Sequence, residues 1–408
     1  MILGALLGHR LIGLYKNTAI ALLNTLLLLG CVEMASIGAL ALLDRRAVEP
    51  QAAAMPKQRR PGRLELSYYQ SKPWGAAFWK EHLEAEKQST YAPYVVWKPK
   101  PFRGNHVNIT ADRARLTPNS TCGAGTFRVF VLGGSAAWGF ASPDWGTIPA
   151  HLQRMWSQGA APVCVLNLAQ NAYVSTQEVI ELARRLQVGD VPDLVILYGG
   201  YNDANAMFET GQAGVHYMVD GIARKLEPRD DGAAFLFGGL LKRTRTYRLL
   251  SRTVASRAEV VASHPRSDST APGMRAPASL ARKAAETYVA NQRIVVGLAR
   301  EFGFSYHAFL QPALDFGAKP LTSEEQQMRS AHSARIPFLT DVYKRIRVAT
   351  AANPQFTDLT SVFDTVTTSV YVDRMHINPE GNALVAPRIV EILAERDILA
   401  GNFVAHKP

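Results

Sequence analysis

Residues 129–139 read VFVLGGSAAWG and contain the feature that decides the fold. A short apolar run rich in β-branched residues ends at Gly133 and Gly134, and Ser135 then precedes two alanines. This pattern predicts a buried parallel strand that turns into a helix at the edge of a sheet. Ser135 could be a helix N-cap, part of a phosphate-binding loop or a nucleophile. The segment fits neither the dinucleotide nor the Walker pattern, so the capping and nucleophilic interpretations are the two to test.

The composition predicts one large globular domain with appendages. The chain has 408 residues, of which 47% are hydrophobic and 19% charged, and such a chain can bury a full core. Its net charge of +11 comes with no nucleic-acid motif, so we expect a solvated or membrane-proximal basic surface and no nucleic-acid partner. The cysteines fit no zinc-ligand spacing. Cys122 and Cys164 could form a disulfide or be buried free thiols.

An apolar run at residues 17–43 is longer than the stretch needed to cross a bilayer as a helix. Its single acid, Glu33, costs about 3 kcal/mol on insertion scales, which the many leucines can outweigh. The run is too long for the hydrophobic part of a typical signal peptide. It also continues past Cys31, where a lipoprotein would turn polar. Residues 1–46 are therefore predicted to form an N-terminal membrane anchor.

The basic residues around this run indicate an orientation. Counted literally, the positive-inside rule places the large domain in the cytoplasm, because fewer basic residues precede the run than follow it. Those before it are Arg10 and Lys16, and those after it are Arg45, Arg46, Lys57, Arg59, Arg60 and Arg63.

The rest of the chain divides into two parts. Residues 47–121 comprise a Pro-containing linker and a segment rich in Tyr, Trp and Pro, which we expect to pack as extended chain against a domain. Residues 122–408 alternate strands and helices, with an insertion at residues 222–279. The insertion has a basic helix-like part at residues 240–257 and a Ser/Pro/Ala-rich stretch at residues 263–277, which predicts a mobile loop.

The alternation predicts a three-layer α/β/α sandwich with a mostly parallel sheet. Functional sites in such sheets form beyond the carboxyl ends of the strands, where Ser135 lies. Strands are predicted at residues 127–132, 163–168, 194–198 and 305–310, and a short segment at residues 356–362 is left unassigned. Helices are predicted at residues 147–158, 176–186, 280–302, 323–351 and 379–396.

Residues 373–376, DRMH, offer partners for Ser135 just before the final predicted helix. Asp373 and His376 are three residues apart and would lie on one side of a helical turn. Histidine is the usual base for a serine nucleophile, and a carboxylate fixes its tautomer. The alternative is a helix start with an acidic cap and an incidental histidine.

Two further stretches follow predicted strands at the same edge of the sheet. Asn202 comes after the strand at residues 194–198, and its side-chain amide could donate to an oxyanion. The alternative is a Gly-Asn turn that caps the next helix. Asp203 is expected to cap that helix. Residues 167–173, NLAQNAY, offer backbone amides after the second strand.

In this order the motifs resemble the SGNH/GDSL hydrolase family, in the GGSxxWG variant of its membrane-anchored bacterial members. Residues 133–135 are similar to the nucleophile block and residues 200–203 to the G-x-N-D block. Asp373 and His376 match the D-x-x-H block. Ala172 stands where the second block usually has glycine as a backbone donor.

The resemblance implies a serine esterase with the SGNH, flavodoxin-like fold. Ser135 would attack an ester carbonyl, His376 would take the serine proton, and Asp373 would orient His376. Asn202 and the backbone amides of Ser135 and Ala172 would hold the oxyanion, with no metal or organic cofactor.

The expected substrates are O-acyl esters of polysaccharide or lipid, with O-acetyl groups on an envelope or extracellular polysaccharide favoured. Two alternatives stay open. The first is an acyltransferase that uses the same site. The second is a catalytically silent glycan-binding or scaffold protein of an envelope assembly, which the alanine at position 172 keeps open.

Gln311 and Pro312 are also similar to the membrane-anchored members, which generally act outside the cytoplasm. We therefore expect an extracytoplasmic catalytic domain, against the literal charge count.

Overall fold

The computed structural model describes residues 2–46, 65–159, 161–219, 221–222, 244–247, 249, 278–330, 333–396 and 398. The chain divides into two compact units. The first comprises Met1–Arg59 with Arg224–Ser269, and the second comprises Arg60–Ala223 with Thr270–Pro408. The expected linker at residues 47–63 and the Ser/Pro/Ala-rich stretch at residues 263–277 lie outside the described residues.

The first unit is built on helix α1, Ile2–Arg46. Its segment Tyr15–Leu40 has a mean hydropathy of 2.0 and is long and apolar enough to cross a membrane, a property that it shares with signal sequences. The lone acid of the apolar run has partners. The Glu33 carboxylate accepts the backbone N–H groups of Arg245 and Thr246, and the Thr246 hydroxyl donates to it at 2.6 Å. Glu33 thus accepts backbone N–H groups of the helical residues 245–247 of the insertion.

The second unit starts with the N-terminal aromatic segment, residues 65–121. We expected extended chain here, but the structure shows a helix as well, because Phe78, Trp79, His82 and Ala85 recur at helical spacing and are buried. Its elements are α2 (Ser67–Gln70), α3 (Gly75–Glu86), the hairpin β1 (Ser89–Ala92) and β2 (Val96–Pro99), and the antiparallel pair β3 (Phe102–Arg103) and β4 (Asn108–Ile109).

A five-stranded parallel sheet forms the centre of the second unit. The spatial order is β6-β5-β7-β8-β9, which is a doubly wound order with the first strand between the second and third. The strands are β5 (Phe127–Gly133), β6 (Val163–Asn167), β7 (Leu194–Gly199), β8 (Ser305–Leu310) and β9 (Phe356–Asp358). The four predicted strands therefore agree with β5, β6, β7 and β8 to within a few residues.

Helices cover both faces of the sheet, which confirms the three-layer prediction. Side chains alternate along β5, so that Val129 and Val131 enter one core and Phe130 and Leu132 enter the other. The first core includes residues of α5 (Ile148–Trp156) and α11 (Pro379–Glu395), and the second includes residues of α6 (Ser175–Gln187), α7 (Tyr201–Thr210), α8 (Ala278–Phe302) and α10 (Ile336–Thr350).

The single long helix predicted at residues 323–351 is wrong. The structure has two helices here, α9 (Ser323–Ser330) and α10 (Ile336–Thr350). Pro337 lies in the first turn of α10, which is the part of a helix that tolerates a residue without a backbone N–H.

Cys122 and Cys164 form a disulfide with a Cα–Cα distance of 5.1 Å. The structure therefore shows the disulfide and not two free thiols. The bond joins the chain just before β5 to the neighbouring strand β6.

Candidate active site

Ser135 begins the short helix α4, Ser135–Trp138, directly beyond the carboxyl end of β5. The two preceding glycines are required by close contacts. A Cβ atom on Gly133 would lie 2.2 Å from the carbonyl oxygen of Tyr198, and one on Gly134 would lie 2.2 Å from Nδ2 of Asn202. Any larger residue would push these groups apart, so the glycines let the ends of β5 and β7 approach each other.

His376 and Asp373 meet in a tight turn and not on the helical turn that we expected. One carboxylate oxygen of Asp373 accepts the backbone N–H groups of Met375 at 3.0 Å and His376 at 2.9 Å. An antiparallel bridge between Tyr371 and Ile377 closes the loop. The side-chain-to-backbone bonds, which Asp favours in turns, replace the helix and still bring the two side chains together.

The structure brings Ser135, His376 and Asp373 into one hydrogen-bonded chain. The distance from His376 Nε2 to Ser135 Oγ is 2.7 Å, and that from His376 Nδ1 to Asp373 Oδ2 is 2.8 Å. The carboxylate can only accept, so Nδ1 carries the proton and Nε2 is left to accept from the serine hydroxyl. Phe140 stacks on the imidazole with ring centroids 4.4 Å apart, and His376 is 7% exposed.

Glu325, which the sequence did not single out, holds the loop that carries His376. Its buried carboxylate accepts the N–H groups of Val370 at 3.0 Å and Tyr371 at 3.1 Å, and Lys319 donates to it at 2.7 Å. Burial opposes ionisation of this carboxyl, but the bonds from Lys319 and the backbone hold the pKa of Glu325 below its ordinary value. A fixed loop keeps the imidazole at the serine.

The stretch after β8 supports the same loop from its other side. Gln311, which the family resemblance singled out, donates from Nε2 to the carbonyl of Met375 at 3.4 Å. Leu314 N–H donates to the carbonyl of Arg374 at 2.9 Å, and Arg374 forms an ion pair with Asp315. These contacts connect the histidine loop to the central sheet.

Asn202 lies in the first turn of α7, directly after the end of β7. Gly200 turns the chain with a φ of 105°, and a Cβ atom there would lie 2.5 Å from Leu310. Nδ2 of Asn202 donates to the carbonyl of Tyr173 at 2.9 Å. An amide nitrogen carries two protons, so this bond orients the group and leaves a second N–H for a ligand.

Ala172 has a φ of 62°, a left-handed conformation that glycine adopts without steric cost. The methyl group of Ala172 adds bulk to the cavity that the residue lines.

Asp203 lies in the first turn of α7 and interacts with its own backbone N–H there. Its carboxylate also accepts the N–H of Ser175 at 3.1 Å and the Ser175 hydroxyl at 2.5 Å. Asp203 thus caps the neighbouring helix α6, which begins at Ser175. Burial raises the pKa of Asp203 to about 6, and it raises the pKa of Glu178 well above its ordinary value, with Asp203 contributing. The two carboxyls form a buried acidic pair.

Four of the five predicted site residues line one cavity of about 430 Å³, and these are Ser135, Ala172, Asn202 and His376. The fifth, Asp373, contacts the cavity through His376. Other lining residues escaped the sequence analysis, and these include Glu86, Ser89, Trp97 and Tyr217. Asn171, which also lines the cavity, lies in the stretch 167–173 that was expected at this edge for its backbone amides. The aromatic content of the N-terminal segment was the only signal for Trp97.

A larger groove between α8 and α10, about 600 Å³, is lined by charged and apolar side chains and has no serine, cysteine or histidine in its lining. In the part of the chain that the structure describes, no three His, Cys, Asp or Glu side chains are grouped to hold a metal ion.

No protein family and no curated protein matches the chain. Among solved structures, a lipase from a goat rumen metagenome has 10% identity and a TM-score of 0.37, over 65% of this chain and 97% of that chain. An acetyl xylan esterase has 13% identity and a TM-score of 0.36, over 65% and 98%. A putative lipolytic protein of the G-D-S-L family from Desulfitobacterium hafniense has 13% identity and a TM-score of 0.32, over 66% and 100%. Likeness at this level assigns no residue role or substrate to this chain.

Proposed function

We propose that this protein is a serine ester hydrolase of the SGNH/GDSL type that acts on O-acyl esters, with O-acetyl groups as the favoured acyl unit. The observation that carries the proposal is the hydrogen-bonded chain from Asp373 through His376 to Ser135 at the carboxyl edge of a parallel sheet. A serine that donates to a carboxylate-oriented histidine is the arrangement that activates a hydroxyl for acyl transfer.

In the first half of the reaction, Ser135 Oγ attacks the ester carbonyl carbon while His376 Nε2 takes the hydroxyl proton. Asp373 keeps the imidazole in the required tautomer and stabilises the imidazolium that forms. The imidazolium then gives its proton to the alcohol oxygen, the carbon–oxygen bond of the ester breaks, and the alcohol leaves. The acyl group stays on Ser135 as an ester.

Asn202 and the backbone amides of Ser135 and Ala172 form the oxyanion hole in this proposal. The support is that all three residues line the cavity and that the bond to Tyr173 orients the Asn202 amide before substrate arrives. Donors that are already in place cost no reorganisation during the reaction, so they favour the tetrahedral intermediate over the planar ester.

In the second half, water attacks the acyl carbon of the acyl-Ser135 ester and gives its proton to His376. The histidine then returns the proton to Ser135 Oγ, and the carboxylic acid leaves. A second alcohol in place of water would make the protein an acyltransferase by the same steps. The geometry of the three side chains serves both reactions.

We further propose that α1 anchors the protein in a membrane and that the catalytic domain is extracytoplasmic. The apolar segment Tyr15–Leu40 supports the anchor. The disulfide between Cys122 and Cys164 supports the location, because disulfides persist in oxidising compartments and are rare in the cytosol. A polysaccharide of the envelope or cell exterior is then a substrate within reach.

Labelling with a fluorophosphonate probe tests the catalytic proposal. The wild-type protein is expected to form a covalent adduct and Ser135→Ala to form none, and the wild type is expected to hydrolyse acetyl esters. A folded wild-type protein that neither labels nor hydrolyses any acetyl ester would reject the enzyme and favour a silent glycan-binding or scaffold protein.

Protease accessibility on intact cells tests the location. Digestion of the catalytic domain by external protease, after the outer membrane is opened where there is one, supports the extracytoplasmic side. Protection until the inner membrane is broken would place the domain in the cytoplasm.

A further inference from the structure

The cavity around Ser135 is larger than the acyl group that the proposed reaction favours. Its volume of about 430 Å³ lies in the range of pockets that hold a drug-sized ligand, whereas an acetyl group has only three non-hydrogen atoms. Most of the space is therefore available to the alcohol part of the ester or to a long acyl chain. The lining residues indicate whether the alcohol part or a long acyl chain fills this space.

Polar and apolar side chains share the lining. Glu86, Ser89, Asn171 and Asn205 line the cavity together with apolar side chains such as Trp97. An alkyl chain alone would leave the polar groups that it covers without hydrogen-bond partners, which costs free energy. A ligand with both an apolar face and hydroxyl groups fits this mixed lining.

Asn171 gives a more specific indication. Its side-chain oxygen, Oδ1, is buried and has no hydrogen-bond partner within the described residues, although Asn171 lines the cavity. An unpaired buried acceptor calls for a donor from a ligand or solvent. A carboxylate such as that of Glu86 also only accepts when ionised. Hydroxyl groups of the ligand can donate to both.

Trp97 provides a flat apolar surface in the same cavity and is held at two points. Its indole N–H donates to the carbonyl of Asn171 at 3.2 Å, and its own carbonyl accepts the Tyr173 hydroxyl at 2.9 Å. The ring of His216 packs edge-on against the indole, with centroids 4.2 Å apart. The tryptophan is therefore fixed in place before a ligand enters, and its bond partner Asn171 is the residue next to Ala172.

We propose that Trp97, Asn171 and Glu86 form a subsite for one sugar ring of the alcohol part of the ester. The inference rests on the proposed function for the acyl-transfer step. The C–H face of a pyranose packs on the indole, and its hydroxyl groups donate to Asn171 Oδ1 and to the Glu86 carboxylate. The ring then presents an acylated hydroxyl to Ser135.

The test compares two substrates of the full-length protein in detergent: a mono-O-acetylated methyl glucopyranoside and ethyl acetate. Ethyl acetate carries the same acyl group and is too small to span both the serine and the indole. The quantity measured is the ratio of kcat/KM for the sugar ester to kcat/KM for ethyl acetate. Trp97→Leu is expected to lower this ratio about tenfold, and Trp97→Phe, which keeps an aromatic face, to lower it by less than about threefold. Asn171→Leu is expected to lower this ratio of kcat/KM values about as much as Trp97→Leu does.

Tyr94→Leu is the matched control, because Tyr94 is 79% exposed at the turn of the same hairpin. This variant is expected to keep the wild-type ratio. An unchanged ratio in Trp97→Leu, or a wild-type preference for hexyl octanoate over the sugar ester, would overturn the subsite.

A binding measurement separates failure of the subsite from failure of the proposed function. Calorimetry with Ser135→Ala and xylotetraose needs no turnover, and it is expected to show binding that Trp97→Leu, added to Ser135→Ala, weakens about tenfold. Binding without hydrolysis in the wild type would reject the enzyme and keep the subsite. Hydrolysis of ethyl acetate without sugar binding would reject the subsite and keep the enzyme.

Discussion

The strand-end loops and the N-terminal aromatic segment both line the cavity, but they are held in place by different means. Ser135, Asn202 and their glycines are covalent continuations of buried strands, so the sheet register itself sets their positions. Trp97 lies on the hairpin β1–β2. Hydrogen bonds to Asn171 and Tyr173, in the loop after β6, hold it at the cavity. The strand-end loops cannot move without a change in the sheet, whereas the hairpin β1–β2 can vary while the sheet stays the same.

The contacts of the hairpin show how this second part is attached. Gln177 donates to the carbonyl of Val95 at 2.7 Å, and Lys98 forms a buried ion pair of 2.6 Å with Glu181. Gln177 and Glu181 both belong to α6, which packs on the sheet. In the proposals above, the strand ends carry the acyl-transfer chemistry, and Trp97 and Glu86 of the N-terminal segment join Asn171 in binding the alcohol part of the ester. The predictions below test this division from the largest expected effect to the smallest.

Replacement of His376 should have the largest effect. His376→Ala removes the group that takes the serine proton, and kcat for acetyl esters is expected to fall by about 10⁴-fold or more. The fall should be the same for ethyl acetate and for a sugar ester, because both substrates use the same base. A loss confined to the sugar ester would contradict the division between the two regions.

Asn202→Ala removes the side-chain donor of the proposed oxyanion hole. We expect kcat to fall by about 10²–10³-fold, or about 2.7–4 kcal/mol, with little change in KM, because the bond is made to the developing charge. The measurement is steady-state kinetics on both substrates. An increase in KM at constant kcat would show that Asn202 binds the substrate ground state.

Lys98→Met should loosen the hairpin. It leaves the carboxylate of Glu181 buried without its closest cation, and we expect the free energy of unfolding to fall by about 3 kcal/mol. The double variant Lys98→Met with Glu181→Leu removes both charges and should recover most of that loss. Urea titration measures both. Equal destabilisation by the single and double variants would mean that the ion pair does not hold the hairpin.

Asp203 predicts a pH dependence of stability. Its pKa is about 6 in the folded protein against an ordinary value of 3.8, so folding favours the protonated form. The stability that it contributes is complete below about pH 4 and is lost as the pH rises through 6. Asp203→Asn keeps an acceptor for Ser175 and cannot ionise. The unfolding free energy of the wild type, relative to that of Asp203→Asn, should therefore fall by about 2–3 kcal/mol between pH 4 and pH 7. A difference that rises with pH would contradict this assignment.

Ala172→Gly should have the smallest effect. A left-handed conformation costs a residue other than glycine about 1–3 kcal/mol, and the greater entropy of glycine in the unfolded chain offsets part of the gain. We expect the unfolding free energy to rise by about 0.5–1 kcal/mol, as measured by urea titration. Destabilisation would show that the methyl group makes packing contacts worth more than the strain.

Part of this architecture could be predicted from the sequence because the signals are local. The strands β5, β7 and β8 are apolar runs that end in glycine or polar residues, and their alternation with amphipathic helices predicts the layers. Ser135 and Asn202 were identifiable since each follows such a strand, and His376 was identifiable from its spacing to Asp373 just before the last helix. The break before α10 was also local, since Pro337 marks it, but the long helical pattern around it concealed the signal.

The remaining features depend on contacts between distant residues. Nothing near Trp97 in the chain indicates that its indole would donate to Asn171, and nothing near Glu325 indicates that its carboxylate would hold the loop before His376. The pairing of Cys122 with Cys164 likewise depends on a distance that only the folded chain has. The sequence by itself determined the strands, their ends and the proposed nucleophile, because hydrophobic periodicity and turn residues act within a few positions. Tertiary structure alone decided which side chains surround that serine, because packing brings together residues that no local pattern connects.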